Sequence, residues 1–206
     1  MDLMALKSTG RALRRRVYQP PYRGFGPLPM PAKQAALRHV FIPGATVVET
    51  GTYHGDATRF FAAQGFPVHT IEVSGTLARA VFAGLTRIGV ECHLGDSARI
   101  LPELLTRFAA RNVHDVNFWL DGHWSGAETS TSPDHETPIL AELVAIAALR
   151  PKFSNIVVAV GDFRYFGNDP SYPEKDFLIR WAANNRLNAY FLADIFVAST
   201  GSYTDL

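Results

Sequence analysis

Short runs rich in Val, Ile, Phe and Trp alternate with helix-patterned stretches from residue 45 to residue 199, and this alternation constrains the fold more than any other feature. Ala45–Glu49 (ATVVE) reads as a strand, and His54–Gln64 as a helix with Gly65 at its end. Val68–Glu72 is a second strand and Gly75–Ile88 a second helix. Glu91–Leu94 is a third strand. Ala98–Arg111 follows as a helix, with Ile100, Leu101, Leu104, Leu105 and Phe108 at three- and four-residue intervals. Val116–Leu120 is a fourth strand, Thr137–Leu149 a helix, Asn155–Val160 a fifth strand and Pro173–Asn184 a helix. Asn188–Ser199 closes the pattern as two short strands meeting at Ala193–Asp194. Strands separated by helices imply βαβ units and a parallel sheet covered on both faces. The runs VNFWL and NIVVAV fit strands buried on both sides. A last pair with no helix between its strands must be antiparallel. The expectation is an α/β fold with a doubly wound, mostly parallel seven-stranded sheet and an antiparallel final strand pair.

The length of 206 residues suits one such domain with a short extension. Hydrophobic residues at 47% supply a core, and no apolar run of 18 residues predicts a membrane span. The single cysteine, Cys92, cannot form an intrachain disulfide and lies in an apolar stretch, so a buried, inert thiol and a cytoplasmic location are expected. Charge is uneven. Residues 1–40 carry eight Lys and Arg against the single acid Asp2, a balance of +7 in a chain whose net charge is +1. Residues 18–32 contain five prolines and two glycines and predict irregular chain. Residues 1–40 are therefore expected to be a basic extension with a proline-rich linker, and residues 41–206 the domain. No aromatic platform is interleaved with the basic residues, which disfavours a nucleic-acid arm; a lid, an oligomer contact or a binding arm for an anionic group remain open. A homodimer is compatible with the sequence.

In open α/β sheets, ligands bind beyond the carboxyl ends of the strands. Each of the five predicted parallel strands is followed within a residue or two by an acid, a glycine or both. After the first comes Glu49-Thr50-Gly51-Thr52-Tyr53-His54-Gly55, where Gly51 and Gly55 allow a tight turn and a close approach by a ligand. The spacing is not G-x-G-x-x-G, so a dinucleotide pyrophosphate site and an NAD-linked oxidoreductase are poorly supported. Glu72 ends the second strand, 23 residues beyond Glu49, where an acid accepts ribose hydroxyls in this architecture. Gly95-Asp96-Ser97 follows the third strand, with Asp96 placed either to accept from an adenine amine or to cap the next helix. Asp121-Gly122-His123-Trp124 follows the fourth, and Gly161-Asp162-Phe163-Arg164 the fifth.

These motifs resemble the class I S-adenosylmethionine-dependent methyltransferases, which have a Rossmann-like fold, over residues 41–199. The stretch FWLDGHWSGAET…TPILAEL looks most like small bacterial proteins of the macrocin O-methyltransferase group. The resemblance implies that Glu49, Gly51, Tyr53 and Gly55 meet the methionine end of S-adenosylmethionine, Glu72 its ribose, and Asp96 and Ser97 its adenine, with Asp121 also in the cofactor site. Metal-dependent members place an acid after the fourth strand and an acidic or acid-amide pair after the fifth. Asp121 matches the former. The pair is Gly161-Asp162 here, so Asp121 and Asp162 would give a sparse Mg²⁺ site completed by water and substrate.

Two functions follow from this resemblance. The first is O-methylation of a small hydroxylated acceptor, with His123 as base, since histidine titrates near neutrality, and Asp121 beside it. The second is a non-catalytic module that binds S-adenosylmethionine without transferring its methyl group. The missing acid at Gly161 keeps the second reading open.

Overall fold

The computed structural model describes residues 29–121 and 137–201. The chain begins there with helix α1, Met30–Val40. It continues through β1 (Thr46–Thr50), α2 (Asp56–Ala63), β2 (Val68–Glu72), α3 (Gly75–Arg87), β3 (Glu91–Leu94), α4 (Ser97–Ala110) and β4 (Asp115–Leu120). Then come α5 (Ile139–Leu149), β5 (Asn155–Val160), α6 (Lys175–Asn184), β6 (Asn188–Leu192) and β7 (Ile195–Ser199). The seven strands form one sheet in the order β3-β2-β1-β4-β5-β7-β6. All neighbouring pairs are parallel except β5–β7 and β6–β7. The doubly wound sheet with an antiparallel final pair is thus as expected from the sequence.

Apolar side chains cover the sheet on both faces, because successive strand residues point to opposite sides. Leu101, Leu104, Leu105 and Phe108 of α4, Leu143 and Ile146 of α5, and Leu178 and Trp181 of α6 pack with Val48, Ile71, Phe118 and Val158 on one face. Leu37 of α1, Phe61 of α2, and Val81 and Leu85 of α3 pack with Val47, Val68, Trp119 and Val157 on the other. The strand order reverses at the β1–β4 junction, inside the sheet, and the carboxyl edge there is where open α/β sheets bind ligands.

Element ends shift where local chemistry overrides periodicity. The helix expected from His54 starts at Asp56, because Tyr53 (φ +50°) and Gly55 (φ +78°) hold the loop in left-handed conformations. The proline-rich stretch becomes helical at Met30, two residues before its expected end. Pro31 sits in the first turn, where a missing N–H costs nothing. Helix α1 then lies on the sheet, with Leu37 and Phe41 buried. Asn117, fully buried in β4, fixes the exit of α1: its side-chain amide donates to Ile42 O at 3.0 Å and its carbonyl accepts from Ile42 N at 2.9 Å. No helix among the described residues is long and apolar enough to cross a membrane.

Candidate functional site

The loop after β1 is tied down by its own backbone. Gly51 N and Thr52 N donate to Ile71 O at 3.0 and 3.3 Å, and Gly55 N donates to Thr52 O at 2.8 Å. Gly51 (φ +84°) and Gly55 make this turn in a region that L side chains rarely enter. The loop presents Tyr53, 43% exposed, with its ring 4.0 Å from that of His54.

Glu72 lies directly beside this loop. Its carboxylate accepts from Tyr53 N at 2.8 Å through Oε2 and from Ser74 N at 2.8 Å through Oε1. Two amide donors fix the carboxylate in place, and each oxygen keeps a lone pair for a further donor. Asp96 caps α4 by accepting from Ala98 N at 2.9 Å, while Gly95 N is held by Glu72 O at 2.8 Å. The loops after β2 and β3 are therefore fastened together at the position expected for the ribose and adenine of a nucleoside.

Glu49 and Ser97 turn away from the cleft surface. Glu49 is 1% exposed, and its Oε2 accepts from Thr58 Oγ1 and, at 2.7 Å, from Thr70 Oγ1. Burial raises its pKa to about 7, with the charges of Asp121 and Glu72 adding to the effect against the two hydroxyl donors. Ser97 Oγ donates to the buried Glu142 at 2.6 Å. Both side chains are thus occupied beneath the loops that the sequence placed against a ligand.

The most informative arrangement lies at the ends of β4 and β5. Lys33 of α1 donates to Asp162 Oδ1 at 3.0 Å and to Asp121 Oδ1 at 3.3 Å. Its ammonium also sits 5.6 Å from the Trp119 ring centroid. Burial alone would pull the lysine pKa down, but Asp121 and Asp162 hold it above its ordinary value. Parity explains the meeting. Asn117 and Trp119 share the α1 side of β4, Asp121 follows the strand in the same alternation, and the small residues Ala159 of β5 and Gly161 just after it lie beside them. Arg164 extends the network by pairing with Asp162 at 2.9 Å and with Asp194 in the β6–β7 turn.

This geometry bears on the expected metal site, for which nothing supports Mg²⁺. Asp121 and Asp162 do converge, but the cation between them is the ammonium of Lys33. With that charge at hydrogen-bond distance from both acids, and no acid at position 161, the donor set does not fit Mg²⁺. Sequence reasoning missed Lys33 by counting it among the charges of the basic arm. Its signal was position: Lys33 stands four residues before Leu37, in the buried stripe of α1. Gly122, His123 and Trp124 lie outside the described residues, as does the basic segment 1–28.

The site as described offers a fixed carboxylate at the second strand, a glycine-bearing loop at the first, an acid at the third and a paired ammonium at the fourth and fifth. One more polar atom belongs to its surroundings: Thr50 Oγ1, at the end of β1, is buried without a hydrogen-bond partner among the described residues. No protein-family model and no curated protein matches the chain. Solved structures do match. CcbJ methyltransferase from Streptomyces caelestis superposes with a TM-score of 0.52 at 13% identity, covering 87% of this chain and 92% of that one. The 23S rRNA methyltransferase ErmE gives a TM-score of 0.52 at 14% identity, covering 84% of this chain and 68% of that one. Magnesium protoporphyrin IX methyltransferase from Synechocystis PCC 6803, with SAH bound, gives 0.50 at 13% identity, covering 94% and 95%. At such identities the likeness is one of fold: the chain has the Rossmann-like fold of S-adenosylmethionine-dependent methyltransferases.

Proposed function

We propose that the chain is an S-adenosylmethionine-dependent methyltransferase acting on a hydroxyl of a small acceptor, without a divalent metal. The observation that carries this reading is the Glu72 carboxylate, held by two backbone amides beside the Gly51–Gly55 loop. The sheet order 3-2-1-4-5-7-6 supplies the setting. The residues fit the cofactor. Glu72 would accept the ribose hydroxyls, Asp96 the adenine amine, and the Gly51–Gly55 loop with Tyr53 would receive the methionine end. Glu49 would act from beneath, by holding that loop, and Ser97 through its place at the start of α4.

When bound, S-adenosylmethionine supplies a methyl group on a sulfonium, which leaves as a neutral thioether. The chain's own task is to hold an acceptor oxygen in line and take its proton. Alignment of this kind is worth up to about 7–11 kcal/mol of barrier, and a positioned base about 10²–10⁴-fold in rate. Lys33, Asp121 and Asp162 form the acceptor side, where the ammonium would stabilise negative charge developing on the acceptor oxygen. His123 is the proposed base, with Asp121 two residues before it in sequence. A hydroxyl acceptor is what the resemblance of FWLDGHWSGAET to the macrocin group would imply, and Lys33 beside Asp121 would set this chain apart from metal-dependent members.

One observation favours the alternative of a binding module. The acids at the ends of β4 and β5 are already engaged by Lys33 and Arg164. Calorimetry with S-adenosylhomocysteine and transfer of labelled methyl to a panel of hydroxylated acceptors separate the readings. Binding with transfer that withstands chelator supports the proposal. Binding without transfer to any acceptor supports the module, and absence of binding removes both.

A further inference from the structure

Outside the cleft, three ligand-type side chains share one face of the sheet edge. His69 of β2 pairs with Glu91 of β3, and Ile71 with His93. Alternation along the strands puts His69, Glu91 and His93 on the face covered by α4, where the His69 ring packs edge-on against Phe108 at 4.8 Å. His69 Nδ1 lies 3.2 Å from His93 Nε2 and 3.4 Å from Glu91 Oε2, and all three ligand atoms fall within 4.8 Å of one another. A tetrahedral zinc ion, with bonds of about 2.0–2.2 Å, spaces its ligand atoms by about 3.3–3.5 Å. Two of the three edges are therefore already at coordination spacing, on strands whose register is fixed by the sheet.

We propose that His69 Nδ1, His93 Nε2 and the Glu91 carboxylate bind a divalent transition-metal ion of the zinc type. The two rings lie parallel within 10°, with centroids 5.5 Å apart, and the 3.2 Å contact between their nitrogens takes one proton. On binding, that proton moves to the outer nitrogen of its own ring and small ring rotations admit the ion. The neutral imidazole is the ligating form of both rings. Arg107 of α4 and Arg111, just beyond its end, oppose a cation here, and Glu91, the one acid in the cluster, supplies the compensating charge. Beside His93 an open groove lined by Leu94, Ile100, Glu103 and Arg107 gives the ion an entry path and room for a water as fourth ligand. The consequence is structural. β3 is a four-residue edge strand that delivers Gly95 and Asp96 to the cleft, and the ion would clasp it to β2.

The test uses the full chain, stripped with chelator and titrated with Zn²⁺ against a chromophoric competitor, with thermal melts alongside. The expected result is one tight equivalent of Zn²⁺ and a melting temperature that rises with it. His93→Gln and Glu91→Gln, at half-buried and exposed positions, should each weaken that equivalent by about tenfold or more while circular dichroism stays unchanged. Wild-type protein that takes up no such equivalent, or variants that bind it as tightly as wild type, would overturn the site.

Discussion

Gly161 and Asp121 occupy one space: a Cβ built on Gly161 overlaps Asp121 Oδ1 and comes within 3.0 Å of the Trp119 ring. The glycine that departs from the acidic pair of metal-dependent methyltransferases is therefore a steric condition for where Asp121 sits. Gly161→Ala should push the Asp121 carboxylate off Lys33 and lower stability by about 1–3 kcal/mol, the usual cost of overpacking. Gly161→Asp should restore the pair in sequence without creating a Mg²⁺ site. Urea unfolding and Mg²⁺ titration check both, and a Gly161→Asp protein that gains Mg²⁺ binding would show that Lys33 yields readily.

Lys33 should be worth more than a surface lysine, because its removal leaves two carboxylates facing each other with little solvent. Side-chain exposure is 9% for Lys33, 16% for Asp121 and 13% for Asp162. Breaking such a pair from one side costs about 3–5 kcal/mol when fully buried, so about 3 kcal/mol is expected for Lys33→Met. Lys33→Arg should restore little, since a planar fork replaces a compact charge. The double variant Lys33→Met, Asp162→Asn should lose less than the sum of its parts in denaturant unfolding. Strict additivity would mean that the two charges do not sense each other.

Glu72 and Ser97 were assigned to one cofactor site by sequence, and the structure separates their expected effects. Glu72→Ala should weaken S-adenosylhomocysteine binding by about 1.5–3 kcal/mol, the range for a hydrogen bond to a charged group. Ser97→Ala should act mainly on stability, by about 1–3 kcal/mol, because it strips the buried Glu142 of a donor at 2.6 Å. Calorimetry and thermal melts on the two variants distinguish them. Equal losses of affinity would place the Ser97 hydroxyl in the ligand site after all.

The strands were legible because runs such as VNFWL and IVVAV carry their burial in every residue. Helix starts were less so, since backbone conformations at Tyr53 and Gly55 decide them, and only glycine announces such a conformation. The ligand-facing loops could be found from the residues that follow each strand. What those residues touch could not: Asp162 is reached by Lys33 from 129 positions away, and Arg164 by Asp194 from 30. Only its place four residues before Leu37 sets Lys33, which ends in the site, apart from the arginines that precede it in the basic arm. Glu49 shows the same limit in reverse. Its place at a strand end suggested ligand contact, but the hydroxyls of Thr58 and Thr70, on neighbouring elements, take its carboxylate inward.

Glu49 should make the fold sensitive to pH in an unusual direction for a carboxylate. Most acids gain partners on folding and lose stability as pH falls; here burial raises the folded pKa to about 7, above the value of about 4.3 for an exposed glutamate. The protonated form is favoured in the folded chain, so this contribution is fully present below about pH 4 and is lost as pH rises through about 7. The full difference is on the order of 3 kcal/mol. Glu49→Gln keeps an oxygen to accept from Thr58 and Thr70 but carries no charge at any pH. It should therefore change stability little at pH 4, raise it at pH 8, and flatten the profile between them. Other carboxylates titrate in the same window, so the measurement is the difference between wild type and Glu49→Gln in denaturant midpoints at each pH. A constant difference from pH 4 to pH 8 would mean that Glu49 is ionised in the folded chain throughout, with Thr58 and Thr70 stabilising the charge against its burial.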